Sequence, residues 1–486
     1  MLCFVKCNSP GQKFVCHCPR FVFNITIKSI NSTAGPFIVD YFIVVESIIF
    51  CLTARYTKLH SRFNIQSTIA ISASYNPASD FVLEETDTPC RLFASVSSGS
   101  VPSLAHPAAL QMDGQQGMQN IFHCTLYIDQ PKSAHLPYLL KSPHYEITAL
   151  CNSSVESAET AIKRHSLPSS TKAYGNPEDL AKDANVDLVV CCVRVDRHHR
   201  LTMPALKAGK AVFVEWPLAA NLAQAEEMLA AAKESGSKTM VGLQARAGPV
   251  VLKVKELVEA KAIGDLISSN LALTIGMPGD THPATFDYGN DKKCGADSLA
   301  VFGGHLIDGV LYSLGGLDQV SAQLSTRWPD VKLVNADGTY NRTIKRDVPD
   351  HIYVQATLAK SVAPVSISIR NGKGFPNTPN FTWNILGTKG EMRITSAAPL
   401  NVGLGSEKIE VFNHEKDTVE IVDVGYAKEV RDLPVYGKNV GALYELYAKG
   451  GVEQGFVDFE QAVSMHKVLA AIEESSVGKK WVKVAA

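Results

Sequence analysis

From residue 145 onward the chain switches between two hydrophobic periods, and the switching predicts strands joined by helices. Residues 145–150 (YEITAL) read as a strand and 155–165 as a helix. Residues 186–193 (VDLVVCCV) form a continuous apolar run, as expected of a strand covered on both faces. Residues 199–208 return to the helical period, and 211–214 form the next strand. Asn221 is the predicted N-cap of a further helix, with Gln224 at the third position of a capping-box pattern. Leu222, Ala225, Met228, Leu229 and Ala232 make one apolar stripe, and Gly236 ends it. Residues 239–243 read as a strand and 250–260 as a helix. Such alternation predicts parallel βαβ units.

Beyond residue 260 the rhythm changes. Antiparallel strands are predicted over 266–275, 319–325, 351–358, 365–370, 381–386 and 392–395, with turn residues such as Asn371-Gly372 and Lys389-Gly390 between several of them. A helix over 304–314 interrupts the series, and helices at 441–449 and 459–474 close it. The predicted fold is an α/β Rossmann-like domain over 132–245, then an α+β domain over 246–486 built on a large mixed, mostly antiparallel sheet. Residues 1–131 show no sustained period and are expected to be disordered or foreign to the fold. The apolar stretch 37–54 is short for a membrane span and carries Asp40 and Glu46, so no span is expected.

Composition adds mainly exclusions. The chain is 45% hydrophobic and 20% charged, as in soluble globular proteins. A net charge of −1 gives no pull toward nucleic acid or anionic membrane. Eleven cysteines are an odd count for a disulfide framework, which fits reduced thiols in the cytoplasm, the nucleus or both. Cys3, Cys7, Cys16 and Cys18 with His17 match no common zinc spacing, so no metal site is expected.

In an open parallel sheet, ligands bind beyond the carboxyl ends of the strands. Three segments should meet there: Leu150-Cys151-Asn152, residues 193–199 (VRVDRHH), and Glu215-Trp216-Pro217. Pro217 holds Trp216 extended, so the indole is expected to project over the cleft; the alternative is a tryptophan used as core mass.

The segment VFVEWPLA, preceded by ALKAGK, resembles the Glu-Lys-Pro-Leu segment of the Gfo/Idh/MocA oxidoreductases. The resemblance covers residues 133–486. Within that family, EITALCN, RHHRLTMPAL, GLQARAGPVVLK, FGGHLID, DVPDHIYVQATL and WNILGTKGEM are similar in order and spacing to the fungal galactose/lactose-metabolism repressors. The resemblance implies a Rossmann domain followed by a sheet domain, NAD or NADP as cofactor, and a sugar or polyol as substrate. For the repressor subgroup it implies a homodimer formed through the sheet that binds a transcriptional activator and does not itself read DNA. The residues it places at the cofactor are Asn152, Arg194, Val195, His198, Glu215, Trp216, Pro217 and Arg246.

Two departures from the family pattern bear on function. The family's dehydrogenases have a Lys after the Glu, where Trp216 stands here, and an Asp four residues before a His. Here the His is His305 and the earlier position is Val301. An indole cannot shuttle a proton near neutral pH, and a valine cannot orient an imidazole. General acid–base help is worth about a hundred- to ten-thousand-fold in rate, so turnover should be impaired. His305 is the catalytic candidate left, with a helix-surface pair to Asp308 as its structural alternative. The second departure lies before residue 133. A G-x-G-x-x-G turn is expected there, and no glycine follows the candidate strand 122–128. A mis-joined exon or a wrong start would produce this, and dinucleotide binding is left open. Asn152 also lacks the acidic charge that reads the ribose of NAD, which leaves NADP open. Three readings follow: a catalytically impaired NAD(P)-binding regulator, an NAD(P)-dependent sugar or polyol oxidoreductase, and a truncated gene-model product without cofactor binding.

Overall fold

The computed structural model describes residues 134–450 and 455–484. The expectations for the first strand and glycine turn, for residues 37–54 and for the Cys3–Cys18 cluster fall outside the described residues.

The strands Leu188–Cys191, Ala211–Glu215 and Thr239–Gly242 pair in parallel, with Val189 opposite Val212 and Phe213 opposite Met240. Ala149–Cys151 and Lys172–Tyr174 form a second parallel pair. All four residues of Leu188–Cys191 are buried, which is why that run carries no polar alternation. The crossover helices are Val155–Arg164, His198–Lys207 and Leu222–Ser235. Asn221 caps the last of these by accepting from the Gln224 amide, and Gly236 ends it at φ 71°. The reciprocal arm of the capping box is not made: the Gln224 side-chain oxygen has no partner among the described residues. A short helix, Leu136–Leu139, stands before the first described parallel strand, with Pro137 in its first turn.

The second half is a nine-stranded sheet. Its order is Thr418–Val422, Lys408–Asn413, Gly390–Ser396, Phe381–Gly387, Leu266–Thr274, Pro364–Arg370, His351–Leu358, Leu317–Ser325 and Val482–Lys483. One neighbouring pair, Leu266–Thr274 with Pro364–Arg370, is parallel, which makes the sheet mixed and mostly antiparallel, as expected. The chain between them is long enough for the crossover a parallel pair needs. The Phe381–Gly387 and His351–Leu358 strands alternate buried with more exposed residues. Phe381, Trp383 and Ile385 face one continuous core with Ile307 and Leu306 of the helix Gly304–Leu314 and with Phe459 and Leu469 of the helix Phe459–Gly478. The small sheet of Thr281–Pro283, Asp330–Val334 and Tyr340–Lys345 was not predicted, because its outer strand is almost wholly exposed and has no apolar period. The strand Thr418–Val422, at the edge of the nine-stranded sheet, was also not predicted; its alternating Val419 and Ile421 face solvent.

Among the described residues no helix is long and apolar enough to cross a membrane.

Candidate functional site at the strand ends

Asn152, Val193 and Glu215 all lie at the carboxyl ends of parallel strands, as the sequence implied. Asn152 is 2% exposed; its Oδ1 accepts from the Ser153 amide, and its Nδ2 has no partner among the described residues. Glu215 accepts from His135 Nε2 at 2.6 Å, and His135 Nδ1 meets the Tyr444 hydroxyl at 2.8 Å. Gly242 runs against Glu215 so closely that an added Cβ would stand 2.7 Å from Oε2. A side chain at 242 would therefore displace the carboxylate.

Trp216 does not project over the cleft. It is 2% exposed and belongs to the main core. Its indole N–H donates to the Ala300 carbonyl at 2.8 Å, and its ring packs on His466 with centroids 4.9 Å apart. The reason is room: Gly304 has no side chain, and a Cβ there would stand 2.4 Å from the indole nitrogen. Burial satisfies a large apolar ring and its one donor together, which an open cleft would not. The Trp216–Pro217 bond is cis.

His305 is not on a helix surface beside Asp308. Both are buried, at 7% and 0% exposure. Asp308 is instead gripped by Arg246, whose Nε lies 2.9 Å from Oδ2, while Arg246 Nη1 donates to Gln461 at 2.6 Å. That carboxyl is pushed up by burial, with Arg246 opposing. His305 Nδ1 has no partner among the described residues. Burial lowers the imidazole to about 4, against the pull of Glu215. Val301 packs beside Phe286 and Tyr288, so the position four residues before His305 supplies no carboxylate.

The remaining candidates divide by what they already hold. His198 is fully buried between the Pro217 and Val193 carbonyls, each 2.9 Å from a ring nitrogen, and burial lowers its pKa against those two acceptors. It clamps two strand ends together, which leaves neither nitrogen for a ligand, unlike the role implied for it. Arg246 is likewise engaged by Asp308 and Gln461. Val195 and Pro217 are buried. Arg194 is partly exposed; it pairs with Asp196 at 3.2 Å and lies over the Tyr288 ring at 4.3 Å. Asn152 and Glu215 thus keep polar atoms at the strand ends, and His305, on the helix Gly304–Leu314, keeps a ring nitrogen without a partner among the described residues.

The sequence reading missed His135, Tyr444 and His466. His135 meets partners 80 and 309 residues away, and nothing local marks it.

Two family descriptions match the chain: the oxidoreductase family with NAD-binding Rossmann fold over residues 128–243, and the Gal80p C-terminal domain over 249–396. The dehydrogenase aclE of Aspergillus oryzae is 34% identical over 355 residues, spanning 73% of this chain and 92% of that protein. The galactose/lactose metabolism regulatory protein GAL80 of Saccharomyces cerevisiae is 32% identical over 391 residues, spanning 71% and 88%. The crystal structure of the yeast Gal80p super-repressor mutant superposes with a TM-score of 0.66 at 25% identity, covering 74% of this chain and 95% of that one.

Proposed function

This chain belongs to the Gfo/Idh/MocA oxidoreductase family, near its Gal80 branch, and on that premise we propose that it is a catalytically impaired, NAD(P)-binding regulator of galactose/lactose-metabolism genes that acts by binding a transcriptional activator. One observation carries the reading. The position where the family's dehydrogenases keep a proton-handling lysine holds Trp216, and its N–H is committed to the Ala300 carbonyl inside the core. No indole donor from this position faces the cleft, and Val301 offers His305 no carboxylate.

The strand ends fit a dinucleotide in part. The buried Nδ2 of Asn152, without a partner among the described residues, follows the Ala149–Cys151 strand and supports a ribose contact there. Asn152, Glu215 and Arg194 are the residues that would hold the cofactor. A nicotinamide, when bound, supplies hydride transfer. The missing acid at position 152 leaves NADP open beside NAD. We assign residues 132–245 to the dinucleotide domain and 246–486 to the partner and dimer domain, and the protein to cytoplasm and nucleus. The activator segment would dock in the cleft, and two copies would pair through the nine-stranded sheet.

A second reading is favoured by His305 Nδ1, a buried imidazole nitrogen with no partner among the described residues, and by the likeness to a dehydrogenase. It makes the protein an NAD(P)-dependent sugar or polyol oxidoreductase. Calorimetric titration with NAD, NADP and an acidic activator-type peptide, alongside NADP reduction over a panel of aldoses and polyols, separates the two. The regulator reading expects binding without turnover. Turnover at an enzyme's ordinary rate, lost in His305→Ala, would replace it with the second.

A further inference from the structure

Three potential ligand atoms converge at the strand ends: one nitrogen of His135, the Cys192 sulfur and a carboxylate oxygen of Glu215 all lie within 4.8 Å of one another. We propose that they form a binding site for a borderline-soft divalent cation of the zinc class. His135 and Cys192 are each 1% exposed, whereas the Glu215 side chain is 18% exposed. The cluster is therefore buried on two sides and reachable on the third.

The residue types suit such an ion. Imidazole, thiolate and carboxylate are the donors zinc takes, and three protein ligands leave a fourth position for water. Thiolate disfavours magnesium and calcium, which take oxygen. The outer contacts suit it too. A ligating histidine usually fixes its other ring nitrogen on a neighbour, and His135 Nδ1 has the Tyr444 hydroxyl at 2.8 Å. Tyr444 is itself buried and packed on Phe213, 5.2 Å between centroids, which fixes where that hydroxyl stands. Gly242 holds the Glu215 carboxylate from behind.

Without metal, His135 Nε2 donates a hydrogen bond to Glu215 across 2.6 Å. Bonds of about 2.0–2.3 Å in a tetrahedron set ligand atoms about 3.3 Å or more apart. Binding therefore exchanges that hydrogen bond for two metal bonds and opens the pair by several tenths of an ångström. It turns the imidazole so that Nδ1–H donates to Tyr444, and it removes the thiol proton of Cys192, so protons leave on binding.

The test uses the full chain, stripped of metal and titrated with cobalt(II) under reducing conditions. The expected result is a tetrahedral visible spectrum with sulfur-to-cobalt charge transfer, displaced by zinc. The charge-transfer band should vanish in Cys192→Ser, and affinity should fall about 10- to 100-fold in Tyr444→Phe, which touches only the outer contact. Because ten other cysteines are present, a spectrum unchanged by Cys192→Ser assigns the metal elsewhere and overturns the proposal, as does the absence of any cobalt spectrum. Should Cys192→Ser fail to fold, Glu215→Gln on the exposed side decides the matter: tetrahedral intensity lost supports the site, and intensity retained overturns it. Dinucleotide and peptide binding are measured apart from cobalt, so either result stands without the other.

Discussion

Trp216 donates its indole N–H to the main-chain oxygen of Ala300, 84 residues further on, across 2.8 Å. This contact joins the end of a Rossmann strand to the turn that leads into the His305 helix. Trp216 is a fixed strut between them.

Replacing that strut has two separable outcomes. Trp216→Phe keeps an aromatic ring and leaves the buried Ala300 carbonyl unpaired, at a cost of about 1–3 kcal/mol in urea unfolding. Trp216→Lys restores the family's residue but sets an ammonium beside His466 inside the core. Lower stability and no gain in NADP reduction are expected, and a gain would show that only the side chain was missing.

Arg246 and Asp308 form a buried ion pair, extended by Gln461. Arg246→Ala leaves a carboxylate of zero exposure without its partner and should cost about 3–5 kcal/mol. The Arg246→Met, Asp308→Leu double variant should recover most of that loss, because the penalty lies in the unpaired charge. Denaturant melts of the single and double variants give the comparison.

Acid should destabilise the protein well above the range of carboxylates. Burial lowers His282 to about 4, with the Arg346 guanidinium adding to it. Burial likewise lowers His305 and His466 to about 4. Each is neutral when folded but titrates near 6.5 when unfolded. The unfolded chain therefore binds more protons between these values. The stability each contributes is whole above about 6.5 and is lost as pH falls toward 4, with a slope of up to about 1.4 kcal/mol per pH unit per group. Melting curves from pH 7 to 4 should show the decline, and His466→Gln should reduce its steepness.

Asn439 pins the loop after the strand Gly390–Ser396. Its Nδ2 donates to the Leu400 and Asn401 carbonyls at 3.1 Å each, and its Oδ1 accepts from Tyr426 at 2.8 Å. Asn439→Ala should cost about 1–3 kcal/mol. Amide exchange should quicken over residues 399–406 while the central strands of the sheet hold their protection.

Much of the fold was legible because its signals are local. The helix 304–314 and the strand 351–358 were placed to the residue, and Asn221 and Gly236 marked both ends of their helix. Elements whose residues face solvent, such as Thr418–Val422 and Tyr340–Lys345, went unseen. The site was legible only in outline. That Asn152, Val193 and Glu215 would lie at the carboxyl ends of parallel strands follows from topology, although the Ala149–Cys151 strand stands in a separate two-stranded sheet. That Trp216 turns inward, that His198 is held by two carbonyls and that His135 faces Glu215 does not.

Residue identity and short-range spacing were enough to set the order of most strands and helices and the family. Packing in three dimensions settled where each polar atom finds its partner: the indole in the core, Arg246 on Asp308, and His305 with a nitrogen unmatched among the described residues. Such pairings join residues far apart in the chain. They are set by which atoms can be buried together without leaving a donor or a charge unsatisfied, and no stretch of sequence carries that information alone.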